Sequence, residues 1–410
     1  MKVVQVTTSS RGGAGIAALR LHKALQGIGI ASAFLSRDLS IDFNGNVVQD
    51  SFFDYRKPSF WVKIQWKLKL LISPSKQERV QREIDKVKGQ LTYEMLSLPF
   101  SKKELETHPY LQEADLVNLH MVTGILDYKR FFSLFKKPVV WTLHDMNPFM
   151  GLFHYQGDKE RNTIIQQLDM EMLHSKKKAI SQCVKGALAS PSQWLLEEAE
   201  VSKVFDHFSE RKTIPNSIDL SVFHPEVNTL RKTLNIGPDE KVLLFAAGAL
   251  HIDRKGFALL KEALSTISFP LTLLTMGKGE VEIPNEAVKV IPLGFKSEPQ
   301  EIVACYVTAD ACILPSKEDN LPNIMLEALA TGTPVVGYAI GGLKEHIEEG
   351  KNGVLAKEVS AKALKEAIEA FFEMSHSFQK ETIRTYAEVH FDSKIQAEAY
   401  RALYTKVLEP

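Results

Sequence analysis

Cysteine is scarce in this 410-residue chain, with only Cys183, Cys305 and Cys312 present. Three scattered thiols build no disulfide framework and lack the paired spacing of a zinc site, which points to a reducing compartment. A surplus of one charge is missing too. Fifty Lys and Arg offset fifty Asp and Glu, so the net basic field that a generic nucleic-acid binder needs is absent. No window offers the ~18 uninterrupted apolar residues of a membrane-spanning helix. The opening Met1-Lys2-Val3-Val4-Gln5-Val6-Thr7 is too short an apolar run for a secretory leader, and no small-residue cleavage site follows it. The expectation is a cytoplasmic protein, attached at most to the inner face of a membrane.

What is present reads as an ordinary globular chain, 44% hydrophobic and 24% charged, long enough for two domains. Strand and helix patterns alternate. Val3 to Thr7 is β-rich, Ser9 to Gly15 is a polar glycine loop, and the apolar spacing from Ile16 to Leu25 predicts a helix before a second strand at Ile30 to Leu35. Asp115 to Leu119, Pro138 to Leu143 and Ala187 to Ala189 follow as strands, the last running into Ser190-Pro191, read as a helix cap and first helical position. The rhythm restarts after Pro215, with strands at Lys241 to Ala246, Leu271 to Met276, Val288 to Ile291, Ala311 to Leu314 and Pro334 to Val336. The fold class is α/β, with two successive halves, each a parallel sheet covered by helices. The expected divisions are 1–215, 216–385 and a C-terminal helix at 386–410.

One stretch breaks this rhythm. From Asp54 to Lys88 there are ten basic and four acidic residues, interleaved with Trp61, Trp66 and several Leu and Ile. A basic amphipathic helix with tryptophans can lie on an anionic membrane. The plainer reading is a surface helix whose apolar side faces its own core.

The most informative segment runs from Ala311-Cys312-Ile313-Leu314 through Pro315-Ser316-Lys317-Glu318-Asp319-Asn320-Leu321-Pro322 to the helical Asn323 to Ala330 and Gly332-Thr333-Pro334-Val335-Val336. It is a buried strand, a polar loop, a helix expected to begin near Leu321, a glycine stop and a strand. In an open α/β sheet, ligands sit at the carboxyl ends of strands, and the start of the next helix offers unpaired amides to polar or anionic groups. Glu327 falls about two turns into that helix.

This segment resembles the retaining GT-B glycosyltransferases of the GT4, or group 1, family, in the branch that builds bacterial surface polysaccharides. Asp319 and Glu327, eight positions apart, are similar to the family's Glu-x7-Glu motif with Asp in first place. Pro215-Asn216-Ser217-Ile218-Asp219 resembles its hinge sequence, and Trp141 to Phe149 with His154-Tyr155 resembles a block of that branch. The resemblance implies two Rossmann-like domains facing each other across a cleft, with Asp319, Asn320 and Leu321 contacting a donor sugar and Glu327 holding the nucleotide ribose. It further implies that the tail returns to the N-terminal domain, and that His144 hydrogen-bonds the donor sugar near the transferring carbon.

Transfer from a nucleotide sugar must stabilise a departing diphosphate, and fixed positive charge is the main lever. No Asp-x-Asp is present, so no metal and no cofactor are expected and basic side chains must carry the charge. Arg254 and Lys255 lie in a strand-end loop beginning at Gly248. Lys255 matches a family pyrophosphate-binding lysine, while the usual arginine position is Ala249, leaving that role to Arg254. Gly13 and Ala14, in Gly12-Gly13-Ala14-Gly15, allow close backbone approach to the donor, although the third glycine of a dinucleotide fingerprint is lacking. His120 and Asp145 are further candidates for the cleft or the acceptor. The implied partners are a nucleotide sugar and a glycan or lipid-linked acceptor, with membrane contact through 54–90. A non-catalytic nucleotide-sugar-binding protein, a GT-B epimerase and, more remotely, a hydride-transferring Rossmann enzyme are the alternatives.

Overall fold

The computed structural model describes residues 1–54, 75–226 and 229–409, and the chain divides into two compact units. The first comprises Met1–Ser190, Leu195–Lys212 and Arg401–Pro410; the second comprises Pro191–Trp194 and Thr213–Tyr400. The division therefore falls at 212/213, and the last ten residues count with the first unit.

The first unit is built on β1 (Lys2–Val6), β2 (Ala31–Leu35), β3 (Ser40–Ile41), β4 (Val47–Val48), β5 (Leu116–Leu119), β6 (Val139–Thr142), β7 (Gly186–Ser190) and β8 (Glu210–Thr213), in the spatial order β4-β3-β2-β1-β5-β6-β7-β8. The run from β2 through β1, β5 and β6 to β7 is parallel, and β3 and β4 are added antiparallel at one edge. Two strands carry polar residues in otherwise apolar runs: Gln5 in β1 and Asn118 in β5, which are in register with each other and fully buried.

The second unit holds β9 (Val242–Ala249), β10 (Leu271–Lys278), β11 (Val288–Gly294), β12 (Ala311–Leu314), β13 (Val335–Tyr338) and β14 (Gly353–Ala356), all parallel, in the order β11-β10-β9-β12-β13-β14. Strands covered on both faces need continuous apolar runs, and Val242 to Ala247 is buried throughout. Alternate residues serve opposite faces. Leu244, Cys312 and Leu314 join one core, and Leu243, Phe245 and Ile313 the other. All three cysteines are free and buried; burial pushes the Cys183 thiol up to about 12 and that of Cys305 up to about 11, so neither is a ready nucleophile.

In each sheet the strand order reverses direction at one point, where neighbouring loops diverge and leave a crevice at the strands' carboxyl ends. In the second unit that point lies between β9 and β12, so the loops carrying Arg254 and Lys255 and carrying Ser316 to Asn320 are neighbours. In the first unit it lies between β1 and β5, placing His120 there.

Several boundaries differ from the sequence expectation. Gly12 to Gly15 form the first turn of the helix Gly12–Gly27 rather than a loop before it. Ser190 ends β7, and the following helix, Gln193–Val201, starts three residues later than its expected cap. Its first amides, on Gln193 and Trp194, donate to the Glu345 carboxylate at 2.9 and 2.8 Å, so the cap comes from a distant side chain that no local pattern announces. The helix after Pro322 is Asn323–Ala330, which puts Glu327 one turn in instead of two. Of the basic stretch, 55–74, including Trp61 and Trp66, lies outside the described residues. The helix Lys76–Val87 has a Ser75–Glu78 capping box and buries Val80 and Ile84. No helix among the described residues is long and apolar enough to cross a membrane.

Candidate functional site

Chemistry-bearing residues gather in one cluster in each unit. In the second, β9 ends at Gly248-Ala249 and the chain makes a tight turn over Asp253–Lys255 before the helix Phe257–Leu264. Gly256 links the two at φ +74°, and a Cβ there would lie 1.7 Å from the Pro315 carbonyl oxygen. Only glycine lets this turn pack against the β12 loop. The Lys317 amide donates to the Arg254 carbonyl at 2.8 Å, tying the loops together. On the far side of the β12 loop Gly341 has φ +43°, and a Cβ there would lie 1.9 Å from the Asp319 carbonyl oxygen. The Gly342 amide donates to the Asn320 carbonyl at 2.6 Å.

Held this way, Asp319 receives two cations. Lys255 Nζ donates to Asp319 Oδ2 at 2.6 Å and Arg254 Nη1 lies 3.4 Å from the same oxygen. Arg254 Nη1 also donates to the Glu318 carbonyl at 2.8 Å. The three side chains are only 10–19% exposed. Burial pushes the Asp319 carboxyl up, but Lys255 and then Arg254 outweigh it and hold the group below the usual carboxylate range. Two cations thus converge on one carboxylate in a little-exposed cluster. Asn320 is locked by Ser192, whose hydroxyl donates to its side-chain carbonyl at 2.5 Å. Leu321 is buried, with its carbonyl accepting from Asn216 at 3.4 Å.

Glu327 belongs to a second pair. Its Oε2 accepts from the Tyr306 hydroxyl at 3.0 Å, and Tyr306, fully buried, is held well above its ordinary range by burial and then by the Glu327 charge. Ser192 and Tyr306 were not among the expected site residues. Neither stands in a recognisable motif, and both are found only through their partners.

In the first unit, His120 and His144 follow the ends of β5 and β6. Their rings stack 5.2 Å apart, with His120 Nδ1 2.9 Å from His144 Nε2. His120 Nε2 is 2.9 Å from Gln5 Oε1. Asn118 Nδ2 donates to the same oxygen at 2.9 Å and to the Tyr404 hydroxyl at 2.9 Å. Burial lowers His144 to about 4, against the opposing pull of Asp145, and holds His120 well below the ordinary imidazole value. Both rings are neutral at pH 7. They line a small pocket with Thr123, Tyr128, Trp141 and Asp145. Gln5, Asn118 and Tyr404 went unnoticed in the sequence. The available signal was a polar residue in the middle of two four- or five-residue buried strands.

Asp145 directs its carboxylate to His154 Nδ1 at 2.7 Å and accepts the Asn147 amide at 2.9 Å. Burial raises it, and His154 with its other partners brings it below the usual range. The fully buried Lys176 donates to the Asn147 carbonyl at 2.6 Å and is lowered to about 7 by burial, against the charges of Asp145 and Asp169. Gly13 is exposed in the first turn of its helix, and Ala14 is half-buried beside it. Among the described residues, no group of three or more His, Cys, Asp or Glu is placed to hold a metal ion.

The structure thus brings Arg254, Lys255, Asp319 and Asn320 into one cluster, pairs Glu327 with Tyr306, and joins His144 to His120. Gly248 lies exposed at the end of β9, where the loop leading to Arg254 begins.

Residues 240–374 match the profile of the family described as Glycosyl transferases group 1. The D-inositol 3-phosphate glycosyltransferase of Arthrobacter sp. (strain FB24) is 24% identical over 275 residues, covering 63% of this chain and 62% of that protein. The chain thus spans less than two thirds of the length of that curated relative. Among solved structures, sucrose-phosphate synthase from Thermosynechococcus elongatus superposes with a TM-score of 0.67 at 18% identity, covering 99% of each chain. Anabaena HepE in complex with UDP-glucose gives 0.62 at 16% identity, covering 99% of this chain and all of that one.

Proposed function

We propose, from the match of residues 240–374 to the glycosyl transferases group 1 family and from the GT-B fold, that the chain is a retaining glycosyltransferase of that family. It moves a sugar from a nucleotide-diphosphate sugar to a hydroxyl of a glycan or lipid-linked acceptor, in polysaccharide biosynthesis, at the cytoplasmic side of the membrane. The observation that carries this reading is the Arg254–Lys255–Asp319 cluster, two cations held in fixed positions at the carboxyl ends of β9 and β12. Such charge, preorganised in a partly dry site, stabilises a departing diphosphate without having to reorganise as the bond breaks.

In the proposed step, the bond from the anomeric carbon to the phosphate oxygen breaks as the acceptor oxygen approaches on the same face. The acceptor's proton passes to the leaving phosphate, and the new glycosidic bond keeps the original configuration. Lys255 and Arg254 neutralise the diphosphate, Asp319 with Asn320 and Leu321 holds the sugar, and Glu327 holds the ribose. His144 serves as a catalytic hydrogen-bonding group, with His120 and Asp145 behind it, and Gly13, Ala14 and Gly248 offer close backbone approach. No metal and no cofactor take part in this reading.

A thermal-shift panel of nucleotide sugars, beginning with UDP-glucose, tests the donor. A ligand at ~100 times its Kd adds about 2.7 kcal/mol to stability. Transfer to polysaccharide fragments, lipid-linked sugars and a polyol phosphate then tests the acceptor; the last is included because curated relatives are named for D-inositol 3-phosphate. Tight donor binding with no product overturns transfer in favour of a binding protein, and donor consumption without an acceptor favours an epimerase. Vesicle binding with Trp61 and Trp66 replaced tests membrane contact through 54–90.

A further inference from the structure

The block from Trp141 to His154 is gripped by the helix Gln166–Ile180. The buried face of that helix carries two charged residues, Asp169 and Lys176, both 0% exposed. They stand about two turns apart on the same side. Asp169 Oδ1 accepts the Leu152 amide at 2.6 Å, and a Cβ at Gly151 would lie 1.9 Å from the Asp169 carbonyl oxygen. Lys176 Nζ donates to the Asn147 carbonyl at 2.6 Å and to Asn147 Oδ1 at 3.1 Å.

Asn147 is engaged at every polar atom. Its amide donates to Asp145 Oδ1 at 2.9 Å, and its Nδ2 donates to the Leu152 and Phe153 carbonyls at 3.2 and 3.1 Å. Two carbonyl oxygens can be served only by the NH2 group, which leaves Oδ1 to the lysine. Asp145 is held from its other side by His154 Nδ1, 2.7 Å from Oδ2, and its charge acts on the adjacent His144. Asp145, His144 and Asn147 line one pocket.

A fully buried ammonium is expensive, and an apolar side chain of the same volume would fill the space without that penalty. Both hydrogen bonds of Lys176 end on Asn147, with the Tyr128 ring 5.3 Å from Nζ. We propose that Lys176 is a positioning residue for Asp145 and His144, holding through Asn147 the strand end on which both stand. The effect on transfer rests on the role proposed above for His144; the link from Lys176 to Asp145 does not. The charged groups acting on the lysine are Asp145, from the loop after β6, and Asp169, from its own helix. Burial lowers Lys176 to about 7 against both of them, and a charged donor makes roughly twice as strong a bond as a neutral one. The grip on Asn147 therefore slackens as the lysine loses its proton.

The test uses the full-length protein. With UDP-glucose and an accepted acceptor, Lys176→Met should lower kcat per folded molecule by about ten- to a hundredfold. The donor KM should not change, because Arg254, Lys255 and Glu327 are untouched. Adding Asp169→Asn removes the opposing buried charge and keeps an acceptor for the Leu152 amide. The charge-balanced double variant should show the same low kcat. Parental kcat in Lys176→Met, or kcat restored in the double variant, overturns the inference, the latter because the lysine then only balances Asp169. The unsubstituted protein gives a second measurement, which decides where the variants fail to fold. As pH is raised from about 6, the nuclear magnetic resonance signals of the Asn147 amide and the His144 ring should shift with the midpoint of the Lys176 side chain. Asp145 and His144 have both lost their own protons below that range. Signals of Asn147 and His144 that stay in place throughout the folded range overturn the inference as well. If no sugar is transferred to any acceptor, the proposed function fails, and the resonance shifts alone decide whether Lys176 positions the pair.

Discussion

Lys255 Nζ lies 2.6 Å from Asp319 Oδ2, an ion pair between residues 64 positions apart that joins the loop after β9 to the loop after β12. The pair is little exposed and shared with Arg254, so it holds the site together before any ligand arrives. The contact organises both loops, yet its lysine is the same cation that the proposed reaction needs for the diphosphate.

Replacing Lys255 with Ala removes one of the two cations. The expected result is a fall in transfer rate on the order of a hundredfold, the scale of losing one preorganised donor at a developing charge. The variant should keep its far-ultraviolet circular dichroism, since Arg254 still neutralises Asp319. Near-normal turnover in a purified Lys255→Ala protein contradicts the assigned donor site.

Asp319→Asn acts in the opposite sense, leaving two adjacent cations without their carboxylate. Breaking a buried pair from one side costs about 3 kcal/mol, and urea denaturation measures it. The folded carboxyl binds its proton more weakly than the unfolded one. Its contribution is therefore complete above the ordinary Asp value of about 3.9 and disappears as pH falls through the lower folded value. Below that range the stabilities of the parent and the variant should converge.

Tyr306 and Glu327 can be separated by a double-mutant cycle. Tyr306→Phe and Glu327→Gln are each expected to weaken nucleotide-sugar binding, with a coupling of about 1 kcal/mol between them from the shared hydrogen bond. Additive effects in isothermal titration would show that the tyrosine does not orient the carboxylate.

His22, His144 and His346 are each lowered from 6.5 to about 4, chiefly by burial. Between those values the unfolded chain binds more protons than the native one, so stability must rise with pH across that window and fall on acidification. Urea midpoints taken from pH 7 down to pH 4 should decrease steadily. A flat profile contradicts neutral native histidines.

Gly256→Ala tests the packing under the site. It puts a methyl group 1.7 Å from a backbone oxygen at a positive φ, and the loop must give way. A loss of at least about 2 kcal/mol is expected, accompanied by weaker donor binding because the Arg254–Lys255 turn moves with it.

The second sheet was largely readable beforehand because its strands are continuous apolar runs, as in Val242 to Ala247 and Ala311 to Leu314. Resemblance points to Lys255, Asp319 and Glu327, and a basic strand-end loop to Arg254; no periodicity or spacing connects Lys255 with Asp319, since their meeting depends on β9 and β12 being neighbours. The cap at Gln193 was misplaced because Ser190-Pro191 is a good local signal and Glu345, which supplies the acceptor, is a tertiary one. Gln5 and Asn118 were visible as interruptions of apolar strands. Their pairing needed the β1–β5 register, and their joint partner is a tyrosine near the other end of the chain.

Gln5 and Tyr404 are 399 positions apart in one hydrogen bond, and that span bears on the order of assembly during synthesis. A chain emerging from the ribosome makes β1 first, yet two of its sheet's buried amides find their shared hydroxyl only when the last helix has been released. The leading half must wait through translation of the trailing half with polar groups in its interior unmatched. A fragment ending at 212 is therefore expected to expose itself to proteases and chaperones in a way that the whole protein does not.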